Sequence, residues 1–60
     1  MTNWMICDGH GNKLTDGYQA YEHEIERVTQ CRADELGVSL WYGPSNRDGD
    51  EDAFTEVAPS

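Results

Sequence analysis

The sequence predicts an α+β domain of element order β-β-α-β-β, with a four-stranded antiparallel sheet of order 2-1-3-4 and one helix across one face. Three observations carry this prediction. Apolar or small residues Tyr21, Ile25, Val28, Thr29, Ala33 and Leu36 recur at helical spacing and stop before Gly37, the pattern of a single amphipathic helix. Runs rich in strand formers stand on both sides of it, and clusters of Gly, Pro, Asn and Asp separate them, as turns separate strands. Short connections on each side of one helix make antiparallel neighbours the simplest arrangement.

Trp4-Met5-Ile6-Cys7 is the first strand candidate, and Asp8-Gly9-His10-Gly11-Asn12 is dense enough in turn formers to reverse the chain toward Lys13-Leu14-Thr15. Asp16 then stands where an N-cap belongs, with Gln19 at the third helical position, so a capping box is expected to start the helix near Tyr18. Glu22, Glu24 and Glu26 load its first half with negative charge, which the macrodipole favours, and Arg27 and Arg32 lie toward the other end. Arg32 falls within the apolar stripe, so its stem is expected to lie over the core edge while its guanidinium reaches water or Glu35. Gly37 suits a left-handed C-terminal cap.

Val38-Ser39-Leu40-Trp41-Tyr42 alternates with period two, and Gly43-Pro44-Ser45-Asn46 ends it because Pro cannot continue a central ladder. After a polar loop, Ala53-Phe54-Thr55-Glu56-Val57 supplies the last strand. If Val38, Leu40 and Tyr42 face the helix, Trp41 faces away, together with Phe54 and one of the pairs Trp4 with Ile6 or Met5 with Cys7. One helix covers only one face. An open apolar patch around Trp41 and Phe54 is therefore expected, as the seam of a homodimer or as a surface for a different partner.

Sixty residues make one domain, 1–60, and a chain this short buries only about 60% of the surface its unfolded form exposes. Two Trp, three Tyr and one Phe are enough aromatic mass for a small core. Twelve Asp and Glu stand against four Lys and Arg, for a net charge of −8. Such a field attracts basic protein surfaces and repels phosphate backbones and anionic lipid, so direct contact with nucleic acid or membrane is not expected. No apolar run approaches the roughly 20 residues of a membrane span, and the first residues lack the regions of a signal peptide. The reading is a soluble cytoplasmic protein with Cys7 and Cys31 as free thiols.

Cys7, His10, His23 and Cys31 are zinc-ligand types, and Cys7 and His10 have the spacing of a ligand pair. His23 and Cys31, however, would lie about 12 Å apart along one helix, beyond the reach of one tetrahedral ion. A Cys7–His10 nucleophile would need an electropositive setting that this chain does not offer. The Asp48, Asp50, Asp52 alternation suggests a calcium loop, but Ala53 occupies the sixth position and Pro59 the twelfth, where Gly and a bidentate Glu are required. No catalytic residue, metal or cofactor is therefore expected.

The carboxylates fall on three stretches: Glu22, Glu24 and Glu26; Asp34 and Glu35; and Asp48, Asp50, Glu51 and Asp52. Displayed along one rigid face, they could occupy a groove built for phosphates, a nucleic-acid mimic. The competing explanation is solubility alone. The segment Arg27-Val28-Thr29-Gln30-Cys31-Arg32-Ala33-Asp34-Glu35-Leu36-Gly37, followed by a strand and a C-terminus ending Val57-Ala58-Pro59-Ser60, resembles the short acidic proteins encoded by bacteriophages and prophages. Some of those are anti-CRISPR or anti-restriction inhibitors. Together with the net charge of −8, the resemblance implies a non-enzymatic inhibitor that binds a basic groove of a host complex; the nine carboxylates are the expected contacts on their charge alone, since the resemblance carries over no site residue. A small structural or accessory protein that dimerises through its sheet is the alternative.

Overall fold

In the computed structural model, which describes residues 1–60, strands β1 (Thr2–Asp8) and β2 (Lys13–Ala20) precede helix α1 (Glu22–Leu36), and strands β3 (Leu40–Pro44) and β4 (Thr55–Val57) follow it. All pairings are antiparallel and the sheet order is β2-β1-β3-β4. The predicted fold class and strand order are those observed.

Strand alternation sorts the core. Trp4 and Ile6 of β1 point to the helix side with Leu40 and Tyr42 of β3 and Val57 of β4, and there meet Ile25 and Ala33 of α1. Tyr18 and the half-buried Val28 pack against this cluster. The Trp4 indole donates to the Ala20 carbonyl at 2.8 Å, and its ring meets Tyr42 edge-on, with centroids 5.9 Å apart. An aromatic pair of that geometry contributes about 0.5–1.5 kcal/mol beyond the area it buries. Thr29, wholly buried, returns its hydroxyl to the Ile25 carbonyl at 2.7 Å and so leaves no unpaired polar atom beneath the helix.

The expected capping box does not form, because Asp16 and Gln19 belong to β2. Tyr18, Gln19 and Ala20 pair with Trp4, Asn3 and Thr2; the ladder and the Trp4 anchor satisfy backbone that a first helical turn would leave bare. The helix starts instead after Tyr21, whose side chain caps nothing. Gly37 does close it in the left-handed conformation, its N–H donating to the Ala33 carbonyl at 2.8 Å. Val38 and Leu36 are about half exposed, since β3 begins only at Leu40, so Val38 does not face the helix as its alternation suggested. Ala53 belongs to a 3₁₀ turn that Phe54 closes, which leaves β4 three residues long.

β2 carries two irregularities. Between the Trp4–Tyr18 and Ile6–Thr15 pairs it spends an extra residue at Asp16-Gly17, and between Ile6–Thr15 and Cys7–Lys13 a second at Leu14. Gly17 takes φ +75°, which a Cβ would strain. These bulges twist an edge strand away from straight pairing, a common guard against edge-to-edge association.

The second face of the sheet is not open. Met5 and Gly43, paired across β1 and β3, are both buried on it. The chain from Ser45 to Phe54 folds back over them. Ser45 Oγ accepts from the Gly17 N–H at 3.1 Å, Asp48 reaches Lys13 at 2.7 Å, and the Phe54 ring lies directly on Gly43. A Cβ at Gly43 would stand 2.8 Å from Phe54 Cγ and 3.0 Å from the Ala53 carbonyl oxygen. Gly43→Ala is therefore expected to destabilise the fold by about 1–3 kcal/mol, the usual range for overpacking. Urea denaturation checks it, and the cost should fall when Phe54→Ala is introduced as well.

Candidate functional site

The predicted site residues fall into two zones on opposite sides of the sheet. The first is the start of α1, where Glu22 and Glu26 share one flank of the helix and Glu24 lies on the other side. Ile25, Thr29 and Ala33 bury one face of the helix, which leaves Glu22 and Glu26 exposed and Glu24 half-buried. None of the three has an ion-pair partner. Glu22 and Glu26, four residues apart, stand about 6 Å from each other along the axis. Burial pushes the Tyr42 phenol above its ordinary range, and Glu26 and Glu22 add to that rise.

The helix end behaves differently. Asp34 accepts the Ser60 N–H at 2.7 Å, Gln30 Nε2 at 3.0 Å and the Ser60 hydroxyl at 3.4 Å. These bonds hold its carboxyl below the usual carboxylate range, the Ser60 N–H most of all. With Gln30 also donating to the Ala58 carbonyl at 2.8 Å, Asp34 clasps the last residues onto the helix. Glu35 pairs with Arg32 at 3.5 Å, as the sequence suggested.

The second zone lies across the sheet. The Ser45–Phe54 segment and the turn after β1 enclose an open cleft of about 530 Å³. Cys7, Trp41 and Phe54, all half-buried, form its apolar surface, and Asp48, Asp50 and Glu51 its rim. Asp48 is tied to Lys13, and Asp50 to Arg47 at 3.0 Å; Asp50 also caps the 3₁₀ turn Glu51–Ala53 by accepting the Asp52 N–H. Glu51 and Asp52 are exposed and have no cationic partner. Trp41 and Phe54, expected on an open sheet face, instead line this cleft.

The turn beside the cleft is organised by one carboxylate. Asp8 accepts the His10 and Asn12 N–H groups at 2.9 Å each and Asn12 Nδ2 at 3.3 Å. The Asn12 bond is the largest influence holding its carboxyl below the usual range. Gly9 lies over the Trp41 ring, where a Cβ would be 3.5 Å from the indole.

Of the zinc-ligand types, Cys7 faces the cleft, His10 is exposed in the turn, His23 stacks on Tyr21 with centroids 5.9 Å apart, and Cys31 is exposed on the helix. No three His, Cys, Asp or Glu side chains converge on one point. Burial pushes the Cys7 thiol up, with Asp48 next in effect, so it stays protonated near neutral pH and is a weak nucleophile. The nine carboxylates do not form one continuous face: the helical and loop groups are separated by the sheet, and Asp34, Glu35, Asp48 and Asp50 are engaged within the chain. The cleft was not anticipated, because it joins residues far apart in sequence.

Asp8 and Asp34 have lowered folded-state pKa values, so the stability they contribute is complete above the unfolded Asp value of about 3.9 and is lost as pH falls through the folded values. Asp8→Asn and Asp34→Asn should each lower the melting temperature at pH 7 and flatten its fall below about pH 4. Alkylation with iodoacetamide followed by mass spectrometry should modify Cys31 before Cys7 at neutral pH.

Compared with protein-family models, with curated proteins and with solved structures, the chain matches none of them.

Proposed function

We propose that the chain is a non-enzymatic acidic binding protein that acts in the host cytoplasm by occupying a basic groove of a defence or nucleic-acid-processing complex, its carboxylates standing where phosphates would. The observation that carries this reading is that Glu22 and Glu26, one turn apart on the same flank of a helix fixed to the sheet by Ile25, Thr29 and Ala33, have no ion-pair partner, and that Glu24, on the other side of the helix, has none either. Carboxylates that are unpaired within the chain meet a basic surface without first breaking an internal ion pair. Glu51 and Asp52 add negative charge on the loop side, and the net charge of −8 speeds encounter with a positive surface. The resemblance to short acidic phage proteins points the same way. The dimeric structural or accessory alternative draws less support, because the chain's own loop already buries the centre of the second sheet face at Met5 and Gly43.

Tagged protein should capture from a host lysate a basic, nucleic-acid-binding protein that added nucleic acid displaces. Changing Glu22, Glu24 and Glu26 together to Lys should slow association with that protein by about tenfold or more at low salt and flatten its salt dependence. A captured protein that binds this variant equally well, or that binds the chain and its nucleic acid together, defeats the proposal.

A further inference from the structure

We infer that the cleft between the turn after β1 and the Ser45–Phe54 segment receives an arginine or lysine side chain of a partner protein. The inference rests on the basic partner proposed above and locates where one of its side chains enters.

The chemistry of the cleft selects this occupant. Its inner surface, from Cys7, Trp41 and Phe54, is apolar and aromatic, and its rim, from Asp48, Asp50 and Glu51, is anionic. No Lys, Arg or His lines it. Lys13 and Arg47 meet Asp48 and Asp50 from outside the lining, and Glu51 has no cation at all. An anionic ligand is repelled from such a place. A neutral apolar one would dehydrate carboxylates without compensating them. A cation on an apolar stem satisfies both parts: the stem lies on Phe54 and Cys7, and the charged head meets the Trp41 ring and Glu51.

The surroundings agree with a negative field at that point. Besides burial, Asp48, Asp8 and Asp16 all raise the Cys7 thiol at the base of the cleft, and only Lys13 opposes them. The volume of about 530 Å³ falls within the range of roughly 300–1,000 Å³ that holds organic ligands. The cleft is open along its rim, so a side chain still attached to a protein can enter. A planar guanidinium is favoured over an ammonium, because it stacks on indole while binding a carboxylate in the same plane.

The test uses the intact chain and three short peptides, acetyl-Gly-Arg-Gly-amide, its Lys counterpart and its citrulline counterpart, which keeps the shape of Arg without the charge. Amide resonances of Gly9 and Gly49 and the Trp41 indole N–H report on the cleft, while the Trp4 indole, buried across the sheet, is the internal control. The Arg peptide should shift the cleft resonances saturably, the Lys peptide more weakly, and the citrulline peptide not at all. Glu51→Gln, at an exposed position whose loss leaves the fold intact, should weaken Arg binding about threefold or more, and Trp41→Leu about three- to fivefold. Equal shifts with citrulline, or an unchanged affinity in Glu51→Gln, overturn the assignment.

The two proposals separate cleanly. A cleft that ignores the Arg peptide, while lysate capture still returns a basic partner lost on reversal of the helical carboxylates, removes the cleft assignment and leaves the function standing. Saturable binding of the Arg peptide, with capture returning no basic protein, does the reverse.

Discussion

One helix of fifteen residues cannot cover both faces of a four-stranded sheet, and most of this structure follows from how the chain meets that constraint. Strand β1 stands near the middle of the sheet, with Trp4 and Ile6 on the helix side and Met5 and Cys7 on the other. The second side is covered by a segment with little regular structure. Phe54 seated on Gly43 is the contact that makes this possible, since any Cβ there would drive the two apart. The Lys13–Asp48 pair is shorter and easier to notice, but an exposed pair contributes little against solvent and salt. Packing holds the loop, and the ion pair sets where its tip lies. The sole lysine of the chain and Asp48 thereby neutralise each other at the surface, which leaves the net charge of the rest unchanged.

Covering the second face also decides where association can occur. The two edges are poor templates, β2 because of its bulges at Asp16-Gly17 and Leu14, β4 because it is only three residues long. The apolar centre is taken by the loop. What stays accessible is charge on the helix and a cleft that combines aromatic surface with carboxylates. Both present negative charge, and neither requires a second copy of the chain.

The fold was legible where local pattern and tertiary demand agree. The apolar spacing of Ile25, Thr29 and Ala33, the Gly37 cap and the four strand runs each lie within a short window, and short connections then leave few topologies. The stretch from Lys13 to Ala20 misled because two bulges remove its period-two alternation, and Asp16 with Gln19 happens to have the spacing of a capping box. Local hydrogen bonding would suit either outcome there; pairing with β1 and the Trp4–Ala20 bond decide it. Val38 misled for a related reason, as the left-handed turn at Gly37 needs two more residues before β3 can begin. The cleft had no local signal of its own. Cys7, Trp41 and Glu51 meet only after the loop has crossed the sheet, though a glycine at position 43, directly after a strand run, is the kind of residue that admits a close approach.

The placement of the carboxylates changes what acidity can mean in this molecule. A single flat array of phosphate-like charges is excluded by the sheet itself, which stands between Glu22 and Glu26 on one side and Glu51 on the other. The engaged groups serve separate structural ends, since Asp8 shapes a turn, Asp34 clasps the C-terminal residues, and Asp48 and Asp50 position the loop. The charges left free therefore form two unlike features. The pair Glu22 and Glu26, one turn apart on one flank of the helix, presents negative charge to solvent, and screening weakens it over about a Debye length. A carboxylate beside an indole in a partly dry cleft suits one particular side chain and is screened less. A partner touching both must reach around an edge of the sheet. The short β4 edge offers the smaller path, because the Glu51–Phe54 turn runs directly into it and α1 packs over the same strand through the Val57 cluster.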